Sequence, residues 1–287
     1  MNVKIVSDSS SNVFSLPEMP FASVPLKIIA GEKEYVDDAR LDVSGMVADL
    51  KAYKGKSGSS CPNVGEWLEA FGNAENVFGV TITKNLSGSY NAACQAAEEY
   101  MQIFPSRKAF IFDSLSAGPE LAMIIDKIKE LVQQGLDFHA IVEKVLSYHN
   151  HLHTLFCLQS LTNLARNGRT SPAVAKIAGV LDIRVVGTAK GGQIEPIHKP
   201  RGERKSLQAL LSGMVERGLQ DGNLVRIAHC FCLGLAERFR DLVLQQFPNC
   251  RFIIEPTTAL CSFYAEEGGM IIGFEGSYNT YNNNSDF

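Results

Sequence analysis

Residues 79–90, Gly-Val-Thr-Ile-Thr-Lys-Asn-Leu-Ser-Gly-Ser-Tyr, constrain this chain more than any other stretch. The β-branched run predicts a strand and the small polar residues a turn. Ala92, Ala93, Ala96 and Ala97 then favour a helix from about 88 to 101. Ser87 stands at the expected N-cap. A strand that turns directly into a helix leaves backbone N–H groups unpaired above the turn, and the helix dipole adds to their attraction for an anion. With hydroxyls at Ser87 and Ser89, the turn suits a carboxylate or phosphate better than a bulky neutral group. The plainer alternative is that Ser87 only caps its helix.

Strand-to-helix alternation recurs around this stretch. Strands are expected over residues 3–7, 22–29, 77–83 and 108–112, and helices over 43–53, 64–73, 118–134 and 137–148. Pro25 inside the second strand suggests an edge or a bulge, and residues 54–63 read as a loop by composition. The alternation predicts a parallel sheet covered on both faces, with ligands beyond the carboxyl ends of its strands. Three hydroxyl-rich turns stand at such ends: residues 7–11, 83–89 and 113–116.

The pattern changes near residue 152. Strands at 155–159, 183–186, 193–197, 224–230, 252–255 and 270–274 are expected there, with helices at 160–167, 172–180, 202–218 and 234–247. Lys190-Gly191-Gly192 reads as a hairpin turn. At 287 residues the chain exceeds one ordinary core. The expected fold class is therefore α/β with two domains. Residues 1–152 would form an N-terminal parallel-sheet α/β/α domain, and 153–275 a C-terminal α/β domain with a mixed or antiparallel sheet. Residues 276–287, rich in Asn, Ser and Tyr, are expected to be a loose tail.

Lys and Arg total 27 against 31 Asp and Glu, a formal charge of −4 without a basic run, so nucleic acid is not an expected partner. No apolar run approaches the roughly 20 residues that span a bilayer. The opening residues enter a strand without the apolar segment of a secretion signal. Seven cysteines, an odd number without secretory context, fit reduced thiols in a cytoplasm.

No Gly-x-Gly-x-x-Gly follows a strand, and no Gly-x-x-x-x-Gly-Lys-Ser/Thr occurs, so no nucleotide cofactor is expected. A Gly-x-Ser-x-Gly elbow is missing too. His149, His151 and His153 would share one face of a strand, but no carboxylate accompanies them, and solvated or capping histidines are the plainer reading. Cys230 and Cys232 read as a reduced core pair. Arg169 and Arg201 each stand at a turn beside a helix, where a guanidinium can make a planar, two-pronged contact; the plain alternative is a surface arginine. A serine hydrolase would need a histidine near Ser59 or Ser87. None precedes His139, so the partner would have to come from the second domain.

The order and spacing of several short motifs resemble the DegV family, the fatty-acid-binding (FakB-type) subunits of bacterial fatty acid kinase. Ile5-Val6-Ser7-Asp8-Ser9-Ser10 resembles the family's opening strand and Asp-Ser-Thr turn. Val24-Pro25-Leu26, Tyr35 and Asp37 resemble its next block. Ser59-Ser60-Cys61-Pro62, with Gly65-Glu66-Trp67 beyond, is similar to its Thr-Ser-Gln-Pro loop and Gly-Glu-Phe. Leu86-Ser87-Gly88-Ser89-Tyr90 resembles Leu-Ser-Gly-Thr-Tyr. Asp113-Ser114 and Asn167-Gly168-Arg169-Thr170-Ser171 resemble its Asp-Ser and Gly-Gly-Arg-Ile-Ser. The resemblance runs from residue 3 to about 275.

It implies a long-chain fatty acid buried between two domains, with the carboxylate at Ser59 and Ser60 in one turn and at Ser87 and Gly88 in the other. Arg169 and Tyr264 are implied near the head group, and Arg201 against an ATP-binding kinase subunit that phosphorylates the carboxylate. On this resemblance the chain is a ligand-binding subunit and not the enzyme. It would need no cofactor, would sit in the cytoplasm, and would touch a membrane surface only transiently. Three departures stand out: Ser59 replaces Thr, Cys61 replaces Gln, and the late His-Thr-Gly block becomes Cys261-Ser262-Phe263-Tyr264. Phe263 or Tyr264 falls at the histidine, and Tyr264 offers a phenolic hydroxyl there. A stand-alone serine hydrolase or transferase, or a carrier of another amphipathic acid such as an isoprenoid or retinoid acid, remain the alternatives.

Overall fold

Apolar residues alternate along the first strands and settle which surfaces are covered. The computed structural model describes residues 2–173 and 182–282. Its N-terminal half runs β1 (Val3–Asp8), β2 (Phe21–Val24), β3 (Lys27–Ala30), β4 (Lys33–Val36), α1 (Val43–Ala52), β5 (Ser57–Ser60) and α2 (Val64–Phe71). It continues through β6 (Asn76–Thr81), α3 (Ser89–Ile103), β7 (Lys108–Asp113), α4 (Pro119–Gln133) and α5 (Phe138–His149). Strands β2-β1-β6-β7 form a wholly parallel sheet. Val3, Ile5, Phe78, Val80 and Phe112 pack beneath α4 and α5. Val6, Val77 and Ile111 pack with Trp67, Phe71 and the small face of α3. Both faces are buried, as the alternation requires.

The strand expected over 22–29 is broken at Pro25, whose missing N–H cannot continue a ladder. The next amide, Leu26 N–H, bonds the Ser9 hydroxyl at 3.0 Å, and the chain leaves the parallel sheet. Beyond the break, β3 centres a separate antiparallel sheet, β4-β3-β5. Its third strand lies inside the residues 54–63 expected to be loop. Ser and Gly are poor strand formers, but β3 supplies the partner, Ile28 opposite Ser59 and Lys27 opposite Ser60.

The C-terminal half runs β8 (Leu152–Leu158), α6 (Thr162–Arg166), β9 (Val185–Lys190), β10 (Gln193–His198), α7 (Glu203–Glu216), β11 (Leu224–His229), α8 (Leu233–Gln246), β12 (Arg251–Pro256), α9 (Ala259–Ala265) and β13 (Met270–Glu275). Its mixed sheet has the order β10-β9-β8-β13-β11-β12, with β11 and β12 parallel and the other neighbours antiparallel. The expected hairpin is present, Gly191 and Gly192 taking φ of 54° and 78° at its turn. Leu155 and Cys157 face α7 and α8, whereas Thr154, Phe156 and Leu158 line a cavity on the opposite face.

The sequence reading missed α9. The helix expected at 172–180 falls for the most part outside the described residues. From Gly276 to Asn282 the supposed tail is tied down: Asn279 donates to the Leu152 carbonyl at 3.0 Å and Asn282 to the His149 carbonyl at 2.9 Å. Among the described residues no helix is long and apolar enough to cross a membrane.

Candidate functional site

Two turns and one short helix meet over the carboxyl ends of the parallel strands. The first turn follows β6. Asp8 is wholly buried, and its carboxylate accepts from the Ile82 N–H at 2.9 Å, the Ser10 N–H at 3.2 Å and the Ser89 hydroxyl at 2.7 Å. Burial raises its pKa despite those donors. Ser89 is therefore turned inward and offers nothing to a ligand. Ser87 is not the formal cap: Gly88 occupies the N-cap without a side-chain bond, and the Ser87 hydroxyl accepts from the Ser89 N–H at 3.2 Å.

The second turn is the end of β5, which its pairing with β3 holds in place. Ser59 lies 2.7 Å, hydroxyl to hydroxyl, from Tyr264 on α9. That helix has no side-chain cap of its own. Asp37, from the other half of the chain, takes the N–H groups of Ala259 at 2.8 Å and Leu260 at 3.1 Å. Burial pushes the Asp37 pKa up to about 6. Of the two candidates at the family histidine, Phe263 is buried among Leu26, Ile28 and Met46. Tyr264 faces Ser59.

Ser59, Ser87, Arg169 and Tyr264 all line one cavity, whose walls are Leu26, Leu86, Phe156, Leu158, Leu164, Ile194, Leu260 and Ile271. Its volume is about 100 Å³ counted by where the centre of a water molecule can go, so the room for a ligand's surface is larger. Arg169 Nε donates to the Leu86 carbonyl at 3.2 Å, and its guanidinium also reaches the Asn167 carbonyl. The arginine thus ties the C-terminal half to the turn that carries Ser87.

Other expected residues stand elsewhere. Ser60 pairs with Lys27, and strand alternation turns it away from the face that Ser59 presents. Gly88 lies off the wall: a Cβ there would come 3.1 Å from Cys61 Sγ, so its lack of side chain admits the Cys61 loop. Arg201 is exposed and bridges to Ile183 away from the cavity. The three histidines do not share a face. His149 and His153 reach the carbonyls of Ser114 and Ser277, and His151 that of Ser147. Cys230 is buried, but β11 has already ended, and Phe231, with φ of 52°, turns the chain before Cys232. Neither Ser59 nor Ser87 is hydrogen-bonded to a histidine among the described residues.

Residues 2–276 match the DegV family, described as uncharacterised proteins. A DegV domain-containing protein of Streptococcus pneumoniae is 40% identical over 283 residues, which cover 96% of this chain and 99% of that protein. A solved DegV family protein from Eubacterium eligens, loaded with heptadecanoic acid, matches with a TM-score of 0.93 at 36% identity, over 96% of this chain and 99% of its own. The Streptococcus pneumoniae fatty acid kinase B3 protein, loaded with linoleic acid, matches with a TM-score of 0.93 at 38% identity over the same shares. With agreement of this extent in both sequence and structure, the chain belongs to the DegV family.

Proposed function

We propose that this chain binds a long-chain fatty acid and presents its carboxylate to a separate ATP-dependent kinase subunit. The carrying observation is the Ser59–Tyr264 hydroxyl pair, with Ser87, on the wall of a mainly apolar cavity. The fatty acids held by the two solved relatives support the ligand class, and the kinase named for one of them supports the partner. The acid lies between an N-terminal domain over 1–152 and a C-terminal one over 153–275, and the protein works in the cytoplasm without a cofactor.

The chemistry is consistent with that role. Each methylene withdrawn from water contributes about 0.8 kcal/mol, so a long chain gains on the order of 10 kcal/mol gross. A carboxylate leaving water needs donors. When Ser59 and Tyr264 bond each other, one of their two hydroxyl protons is spent on the other. A carboxylate can take both, and Ser87 can add a third donor. Hydroxyls neutralise less charge than a salt bridge, so the oxygen keeps its nucleophilicity toward a phosphate donor. Arg201, exposed and off the cavity, is assigned to the kinase contact.

Organic extraction of the purified protein followed by mass spectrometry should yield a monocarboxylic lipid. The delipidated protein should take up a long-chain acid in titration. Repeated delipidation and titration without uptake would refute the proposal.

A further inference from the structure

The walls of the cavity are not all held alike. Buried carboxylates fix two of them, Asp8 the turn after β6 and Asp37 the start of α9. Strands β8 and β13 lie inside the six-stranded sheet, paired on both sides. The hairpin β9–β10 is different. Its ladder with β8 ends where Leu155 pairs with Thr188, and the Thr188 hydroxyl closes that end on the Thr154 carbonyl at 2.8 Å. Residues 189–194 run on past it with only each other as ladder partners. Below them β10 is an edge strand whose register shifts between Pro196 and His198, and Pro196 has no N–H to give to a ladder.

This projecting tip is a wall of the cavity: Ala189, Gly192, Gln193 and Ile194 line it. Gly192 is buried against the turn that carries Ser87, so close that a Cβ there would collide with the Thr83 hydroxyl. One side-chain hydrogen bond fastens the tip to that turn among the described residues, from Asn85 Nδ2 to the Gly191 carbonyl at 2.7 Å. Asn85 itself is exposed and does not line the cavity. On the outer side Lys190 pairs with Glu195 inside the hairpin and lies over the exposed ring of Tyr281. We propose that residues 189–194 are a flap that opens the cavity beside Ser87 to let a long-chain acid in and out, and that Asn85 is its latch. An acyl chain shielded from water on all sides needs a way through the wall. Swinging the flap about Thr188 breaks the Asn85 bond and the packing of Gly192 and Ile194, but no ladder bond of β8 or β13. The inference rests on the fatty-acid reading above and adds how the ligand of that site is exchanged.

Stopped-flow mixing of the delipidated full chain with parinaric acid, a polyene acid that fluoresces on leaving water, reads association. Chasing the loaded protein with excess octadecanoic acid reads dissociation. In Asn85→Ala both rates should rise roughly two- to tenfold, as the loss of one net hydrogen bond implies, while the dissociation constant stays within about twofold. The two rates move together because the latch joins protein to protein and does not touch the ligand. Asn85→Asp keeps the shape but sets acceptor against acceptor, and should speed both steps at least as much. Asn85 lies on the surface, so both variants should fold, and melting checks that they do. Association and dissociation unchanged in both folded variants would overturn the flap. Faster dissociation without faster association would make Asn85 a ligand contact and overturn the latch. Either result leaves fatty-acid binding intact, since the wild type still takes up the probe. No uptake of parinaric or octadecanoic acid by the wild type would sink the fatty-acid reading, and this inference with it.

Discussion

Replacing Asp37 by Asn tests what holds α9, and with it Tyr264, against the rest of the protein. Asp37 is 1% exposed and accepts two backbone N–H groups from the start of that helix. Burial outweighs those bonds and raises its carboxyl from 3.8 to about 6. Between those values the folded chain keeps a proton that the unfolded chain has released. The stability this group contributes is therefore complete below the unfolded value and lost as pH rises through the folded one. At roughly 1.4 kcal/mol per pH unit, the loss comes to about 3 kcal/mol.

Asn has nearly the same shape, keeps one acceptor and carries no charge at any pH. Its amide meets one of the two N–H groups with a donor, which sets a fixed offset in stability. The pH dependence comes from Asp alone. Going from about pH 4 to about pH 7.5, the stability of Asp37→Asn relative to the wild type should rise by about 3 kcal/mol. Denaturant unfolding of both proteins in matched buffers measures this. Subtraction cancels the other buried acids, Asp8 and Asp113, whose values burial also raises. A difference that stays flat across the range would refute the argument that burial governs Asp37.

Tyr264→Phe should cost about 1 kcal/mol of stability through the lost bond to Ser59, but tenfold or more in fatty acid affinity, because a bond to a carboxylate is worth more than one between hydroxyls. Equal, small effects on melting and on titration would make the tyrosine a strut only. Ser87→Ala and Ser87→Gly both remove the acceptor for Ser89 N–H and the ligand donor, so both should weaken binding alike; retained affinity in both would leave Ser87 a turn residue. Arg201→Ala should leave melting within about 0.5 kcal/mol and lipid affinity unchanged, yet slow acyl phosphate formation with a cognate kinase subunit. Unchanged turnover would remove Arg201 from that contact.

The parallel sheet was legible because Val3, Ile5, Val77, Phe78 and Val80 carry their burial in local composition. The third sheet was not. Residues 57–60 are Ser-Gly-Ser-Ser, and only pairing with the distant β3 makes them a strand. Helix α9 was hidden for a related reason. Its seven residues are too few for a periodic signal, and its cap comes from Asp37, more than two hundred residues earlier. Ser59 and Ser87 stood out as hydroxyls on turns, but their separation from Ser60, Gly88 and Ser89 depended on which way each side chain points. Only the ladder register and the Asp8 network decide that.

Buried carboxylates explain why so few of the many serines are left for a ligand. Asp8 binds the turn after β6 through Ile82 and Ser89, and Asp37 binds α9. Asp113 accepts from the Leu115 N–H at 3.0 Å and so shapes the turn that carries Ser116. Each of the three segments so held supplies a wall of the cavity: Ile82 and Ser87 from the turn after β6, Leu260 and Tyr264 from α9, Ser116 and Ala117 from the turn after β7. Burial raises the pKa of all three acids, which marks each as a cost to stability at neutral pH. Hydrophobic residues at those places could fill space, but they could not accept the turn N–H groups, and a buried N–H left unpaired costs about 1–3 kcal/mol. Ser7 spends its proton on the Val80 carbonyl, Ser10 on Asp8 and Ser11 on the Asp8 carbonyl. The serines beneath the turns thus make the framework, and Ser59 and Ser87, outside it, keep hydroxyls within reach of the cavity.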